Sequence, residues 1–170
     1  MKRPHTIIYV TGLGDKNVVW QKKIVNSWQI FGVKATLFQM NWTDEEPFSS
    51  KIDRLFELIN KLKRSGHNVS LVGASAGASA ALSVFIRHKP AISGIVFICG
   101  KLAHPETVSP SYYQQKKTFK DALKYLGSNF AKLEPHDKQK MLSIHPLYDQ
   151  TVEMSDTMIE GIRRNTSPSL

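Results

Sequence analysis

The chain has 170 residues, of which 41% are hydrophobic and 22% charged, and its formal net charge at pH 7 is +9. This length fits one domain with one core, and the composition is close to that of an ordinary globular domain. No apolar run approaches the roughly 20 residues of a membrane-spanning helix, so we expect no membrane span. The only cysteine is Cys99, which excludes an intramolecular disulfide. Because no signal-peptide pattern is present either, we expect a cytoplasmic protein.

Basic residues are scattered in pairs and triplets along the chain, at positions that favour the surfaces of helices. Aromatic residues do not interleave with them in the way that RNA-binding surfaces require. We therefore interpret the positive charge as solvated helix faces and expect no nucleic-acid partner.

Predicted strands alternate with predicted helices along most of the chain. The strands are predicted at 6–10, 34–40, 68–72, 92–98 and 141–145. The helices are predicted at 18–31, from Ser49 or Ser50 to 64, at 76–87 and at 152–164, with Asp15 to Asn17 capping the first and 165–170 forming a loop. Strands that are apolar throughout favour a parallel sheet with helices on both faces. The fold class is therefore α/β, a three-layer sandwich with a mostly parallel sheet.

Residues 101–140 interrupt this alternation with a long polar stretch that contains spaced aromatic residues. We interpret this stretch as a helical cap or lid inserted into a single domain that spans 1–170. Tyr112, Tyr113 and Phe119 either line a substrate pocket there or pack within the cap.

The sequence Gly73-Ala74-Ser75-Ala76-Gly77 lies between a predicted strand and a predicted helix that is rich in small residues. A serine in such a turn has a strained backbone and an exposed hydroxyl, and the tight turn requires small residues on both sides. The start of the following helix directs unpaired N–H groups toward the serine, so the N–H of Ala76 can stabilise a developing oxyanion. The motif predicts Ser75 as a catalytic nucleophile.

From Thr6 to about Arg164 the chain resembles the α/β-hydrolase-fold serine hydrolases of the esterase and lipase type. The resemblance depends on the Gly12-Leu13-Gly14 loop after the first strand, the Ser75 motif, and Asp149 after a late strand. It implies Ser75 as nucleophile, Asp149 as the acid that orients a histidine, and an oxyanion hole formed by the N–H groups of Ala76 and Leu13. Many members have His-Gly where this chain has Thr11-Gly12. The alternative role for Asp149 is to cap the following helix.

The histidine of the triad has no obvious position in this sequence. In such enzymes it follows the acid, whereas all six histidines of the chain precede Asp149. Three explanations remain open: a histidine beyond Leu170 in a longer protein, an upstream histidine (His145 or His104), or a non-catalytic relative. No sixth strand is predicted after Asp149. We expect weak or no hydrolysis by this chain.

The leading prediction is a serine hydrolase that cleaves a small-molecule ester, thioester or amide without a cofactor or a metal. The alternative is a non-catalytic binding module with the same fold. A nucleotide site at Gly12-Leu13-Gly14 is disfavoured because the glycine fingerprint fails at Asn17. Cys99 is predicted to be a buried small hydrophobic residue, and the oligomeric state is left open.

Overall fold

The computed structural model describes residues 3–102, 117–146, 157 and 159–167. These residues form one sheet of six parallel strands in the order β2-β1-β3-β4-β5-β6. The strands are β1 His5–Val10, β2 Lys34–Phe38, β3 Asn68–Ala74, β4 Gly94–Ile98, β5 Met141–Pro146 and β6 Arg163–Ser167. The predicted α/β class with a parallel sheet is confirmed.

Five α-helices and three short 3₁₀ segments connect the strands within the described residues. The α-helices are α1 Val19–Ser27, α2 Phe48–Arg64, α3 Ala76–Arg87, α4 Lys117–Asn129 and α5 Pro135–Lys138. The 3₁₀ segments are Trp28–Phe31, Lys89–Ala91 and Phe130–Lys132.

The strand order distributes the helices over the two faces of the sheet. The connection from β1 to β2 runs one way along the sheet, and the connections from β2 through β5 run the other way. Right-handed crossovers therefore place α1 on one face and α2, α3 and α4 on the other. Helices α2, α3 and α4 contact one another, as this arrangement requires.

The core lies between the sheet and the layer formed by α2, α3 and α4. Helix α3 is buried along almost its whole length, because small residues at its start let it approach the strands closely. Phe119 of α4 is buried and packs edge-to-face on Trp42, with 5.9 Å between ring centroids. Helix α4 thus belongs to the core, although its sequence lies within the predicted insertion at 101–140. Tyr112 and Tyr113 lie outside the described residues, and the cap remains a prediction.

The first helix differs in detail from its prediction. It begins at Val19, becomes a 3₁₀ segment at Trp28, and ends at Gly32, whose φ of 73° provides the predicted stop. Only Val25 within α1 is buried, whereas Val19 and Ile24 are exposed. Only part of the predicted apolar face of this helix is therefore buried.

The last described residues differ from their prediction. Residues predicted as the end of a helix, 159–164, instead lead into strand β6, which pairs with β5 from Leu142↔Arg163 to Pro146↔Ser167. The prediction that no sixth strand follows was also wrong. Strand β6 is polar and lies at the edge of the sheet, so it lacks the apolar pattern by which buried strands are detected.

No helix within the described residues is long and apolar enough to cross a membrane.

Candidate active site

Ser75 lies in the turn between β3 and α3, at the carboxyl edge of the sheet. Its φ and ψ are 51° and −124°, in a region that non-glycine residues rarely adopt. The backbone is held there from both sides: the N–H of Ser75 donates to the carbonyl of Ile98 at 2.8 Å, and its carbonyl accepts from Ala78 at 3.0 Å. Such strain, which costs about 1–3 kcal/mol, persists only where the surrounding structure imposes it.

Two glycines make this turn possible because the backbone around Ser75 leaves no room for side chains. A Cβ at Gly73 would lie 2.6 Å from the carbonyl oxygen of Gly77. A Cβ at Gly77 would lie 2.2 Å from the carbonyl oxygen of Val10 and 2.7 Å from that of Thr11. The two glycines therefore face each other, and the first turn of α3 packs directly on the end of β1.

The predicted oxyanion loop, Gly12-Leu13-Gly14, lies beside Ser75. A Cβ at Gly12 would lie 2.9 Å from the carbonyl oxygen of Ala74 and 3.1 Å from the Cβ of Ser75. Leu13 is partly buried against the core. The arrangement brings together three of the four predicted site residues: Ser75, Ala76 and Leu13.

Asp15 follows this loop and is 1% exposed. Its carboxylate accepts hydrogen bonds from the Thr11 hydroxyl at 2.9 Å and from the backbone N–H groups of Asn41 at 2.6 Å and Trp42 at 3.4 Å. The prediction that Asp15 helps to cap α1 was wrong, because its partners lie elsewhere. Asn17 instead accepts from the N–H of Val19 at 3.1 Å.

A buried lysine supports the segment that Asp15 holds. The Lys51 side chain is fully buried, and its ammonium donates to the Asn41 carbonyl at 2.9 Å and to the Asp44 carboxylate, with Glu46 at 3.4 Å. The hydrogen bond from Lys51 lowers the pKa of Asp44 below its ordinary value. Arg54 likewise lowers the pKa of Glu46, to which it donates at 2.8 and 3.0 Å.

Strand β4 ends beside Ser75 in a second unusual backbone conformation. Cys99 has a φ of 48°, and its side chain is partly exposed, which corrects the prediction of a buried residue. A Cβ at Gly100 would lie 2.3 Å from the Cβ of Ala78, so the chain after β4 runs against the first turn of α3.

The described histidines lie mostly away from the carboxyl edge. His5 and His67 form hydrogen bonds with Ser70 and Thr6, respectively, near the starts of strands. His88 stacks on Phe56, and His136 lies 3.2 Å from Glu134, just before α5, and 3.3 Å from Asp137 within α5. Of the five histidines that the structure describes, His145 alone is at the carboxyl end of a strand.

His145 is 4% exposed, and its Nδ1 has no hydrogen-bond partner among the described residues. Strand β4 separates β5 from β3, so the backbones of His145 and Ser75 are about 10 Å apart at the spacing of neighbouring strands. No hydrogen bond joins a described histidine to Ser75. Asp149 and His104 lie outside the described residues, so their predicted roles remain predictions.

A groove of about 460 Å³ lies over the sheet and is lined by residues of several strands, among them Ile7, Val96 and Leu142, but not by Ser75. Within the described ranges, no group of histidine, cysteine and acidic side chains is arranged to hold a metal ion.

Comparison with known proteins agrees with this geometry at the level of the fold. No protein-family model matches the sequence, and no curated protein matches it. Solved structures do match. One is reported for two metagenome-derived lipolytic enzymes, LipS and LipT, with a TM-score of 0.71 and 11% identity over 96% of this chain and 83% of that chain.

Two further matches are a soluble variant of monoglyceride lipase from Saccharomyces cerevisiae and the α/β-hydrolase MGS-MChE2 from a sediment metagenome. The lipase has a TM-score of 0.66 and 10% identity over 96% of this chain and 77% of that chain. MGS-MChE2 has a TM-score of 0.60 and 14% identity over 96% of this chain and 80% of that chain. At these identities the likeness concerns the fold, and the chain has the α/β-hydrolase fold.

Proposed function

We propose that the protein is a serine hydrolase that cleaves a small-molecule ester, thioester or amide through an acyl-enzyme on Ser75. The observation that carries this proposal is the strained backbone of Ser75, at φ 51° and ψ −124°, between a buried strand and a helix start. Strained backbone conformations of this kind cluster at active sites and ligand-binding sites. The structural similarity to lipolytic enzymes and to a monoglyceride lipase supports an ester as the substrate class.

The proposed reaction begins with attack of Ser75 Oγ on the substrate carbonyl carbon. The resulting oxyanion accepts hydrogen bonds from the N–H groups of Ala76 and Leu13, and its collapse expels the leaving group and leaves an acyl-serine. Water then attacks the acyl-serine, releases the carboxylic acid and restores the serine hydroxyl. Asp149 is proposed to orient a histidine that passes the Ser75 proton to the leaving group and, in the second half, passes a proton from the water back to Ser75. The reaction requires no metal and no organic cofactor.

The rate of this reaction depends on the proton acceptor. No described histidine hydrogen-bonds to Ser75, and serine is a poor nucleophile without an adjacent base. Oxyanion stabilisation and binding alone give about 10³–10⁴-fold acceleration over water. That acceleration does not require the serine, so we expect slow turnover, of which only the part that passes through the acyl-enzyme depends on Ser75.

The test is turnover of p-nitrophenyl acetate by the wild-type chain and by Ser75→Ala. We expect the small wild-type rate to fall in Ser75→Ala to the rate that oxyanion stabilisation and binding alone support. Ser65→Ala, which removes an exposed hydroxyl at the end of α2, is the matched control and should keep the wild-type rate. A wild-type rate that is unchanged in Ser75→Ala would contradict the acyl-enzyme on Ser75.

A non-catalytic binding module is the second candidate, because no described histidine contacts Ser75. A fluorophosphonate probe separates the two functions, since it labels only an activated serine. Labelling of the wild type that is absent in Ser75→Ala supports the hydrolase. No labelling after prolonged exposure, together with no Ser75-dependent turnover, favours the binding module.

A further inference from the structure

We infer that Asp15 is a positioning residue for the oxyanion loop: its buried carboxylate fixes Gly12-Leu13-Gly14 beside Ser75. This inference rests on the proposed function, because the loop stabilises an oxyanion only if Ser75 attacks a carbonyl. It adds a residue outside the predicted nucleophile, acid and oxyanion donors.

Hydrogen bonds tie both ends of the loop to the segment that follows β2. Before the loop, the Thr11 hydroxyl donates to Asp15 and accepts from the N–H of Met40 at 3.1 Å. The Thr11 carbonyl accepts from the indole N–H of Trp42 at 2.8 Å. After the loop, the Asp15 carbonyl accepts from the side chain of Gln39 at 2.6 Å. The Asp15 carboxylate therefore joins the two ends of the loop to each other and to the same support.

The support itself is firmly held. Thr11, Met40 and Trp42 are at most 1% exposed, so water does not readily replace their hydrogen bonds. Asn41 has a positive φ of 55°, and its N–H and carbonyl are bound by Asp15 and Lys51 respectively. The buried side chains of Asp15 and Lys51 thus hold the backbone of Asn41 through its N–H and its carbonyl, respectively.

This clamp of hydrogen bonds affects the chemistry because the first residue of the loop, Gly12, lies against the serine. Gly12 lies so close that an added Cβ would be 3.1 Å from the Cβ of Ser75. An N–H donor stabilises an oxyanion only at about 2.7–3.1 Å, so a small displacement of the loop removes the stabilisation. Loss of the clamp should therefore lower kcat and leave KM nearly unchanged.

The first measurement, called loop exchange below, is amide hydrogen exchange at Thr11 and Met40, and it needs no activity. These N–H groups donate to the Phe38 carbonyl and the Thr11 hydroxyl, between the loop and its support. We expect Asp15→Ala to accelerate exchange of these amides by at least about tenfold, because local opening becomes easier. Asp15→Asn keeps an acceptor for Asn41 and a group that can bond Thr11, so it should exchange nearly as slowly as the wild type. Asp53→Ala removes an exposed carboxylate paired with Arg87 and is the matched control.

The second measurement is the Ser75-dependent rate with p-nitrophenyl acetate, taken as the difference from Ser75→Ala. We expect kcat to fall about 100-fold in Asp15→Ala, the loss typical of one oxyanion donor, with KM changed less than about twofold. Asp15→Asn should restore most of kcat. Thr11→Val removes the hydroxyl but keeps the side-chain shape, and tests the clamp if Asp15→Ala does not fold. Its loop exchange should rise and its kcat should fall, by less than in Asp15→Ala.

The outcomes separate the two proposals. Loop exchange and kcat that match Asp53→Ala in a folded Asp15→Ala or Thr11→Val variant would overturn the role of Asp15. If turnover never depends on Ser75, the proposed function fails, and loop exchange alone decides whether Asp15 positions the loop.

Discussion

The two sides of Ser75 are held in place by different means. On one side, the turn from Gly73 to Gly77 is shaped by close contact between backbones, with no room for a Cβ. On the other side, the loop Gly12-Leu13-Gly14 is held at its ends by the buried side chains of Thr11 and Asp15. Backbones in such close contact cannot accommodate an added side-chain atom, whereas a segment held by hydrogen bonds can lose them one at a time. Substitutions on the first side should therefore cost more stability than substitutions on the second.

The largest effect is expected for Gly77→Ala, on the side held by backbone contact. The added methyl would lie 2.2 Å from the Val10 carbonyl oxygen, so α3 and β1 must separate. We expect the free energy of unfolding to fall by about 3 kcal/mol or more, measured by urea denaturation. Gly14→Ala is the control, because nothing lies within 4 Å of its Cβ position. Equal stability of the two variants would contradict the close contact.

A smaller effect is expected for Lys51→Met, on the side held by hydrogen bonds. The substitution keeps the buried aliphatic packing but leaves the Asn41 carbonyl and the partly exposed Asp44 carboxylate without the ammonium. We expect the free energy of unfolding at neutral pH to fall by about 1–2 kcal/mol. This is less than the cost of breaking a fully buried ion pair, because Asp44 reaches solvent.

The same ion pairs predict how stability responds to acid. Lys51 lowers the pKa of Asp44 and Arg54 lowers that of Glu46, so each carboxylate binds a proton more readily in the unfolded chain. Their contribution is therefore present above the ordinary carboxyl pKa values, about 4, and is lost as the pH falls through the lowered folded values. Urea denaturation between neutral pH and about pH 3 should show a shallower decline for Lys51→Met than for the wild type. Parallel declines would show that Lys51 does not stabilise the ionised acids.

The smallest effect is expected for the strain at Ser75 itself. Glycine adopts a positive φ without steric cost, although it loses more chain entropy on folding. We expect Ser75→Gly to raise the free energy of unfolding by about 1 kcal/mol, and Ser75→Ala to leave it nearly unchanged. Both variants should lose Ser75-dependent turnover. A Ser75→Gly variant no more stable than Ser75→Ala would show that the turn is not strained.

The sequence predicts the side of the site whose contacts are made between residues close together in the chain. The contacts of Gly73, Ser75 and Gly77 arise within one short motif between a strand and a helix, so the pattern predicts their geometry. The bond between Asp15 and Asn41 joins residues far apart in sequence. An aspartate after a glycine-rich loop looks like a helix cap, and nothing nearby in the sequence distinguishes the two roles. Strand β6 was missed because an edge strand can be polar throughout.

The edges of the sheet also affect how copies of the protein behave toward one another. Within the described sheet, β6 is one edge strand and begins with Arg163 and Arg164, and β2 is the other edge strand and begins with Lys34. Two copies that approached edge to edge would bring like charges together, which opposes strand addition. Since salt screens this repulsion over about 10 Å at 0.1 M, light scattering should show more self-association as the ionic strength rises.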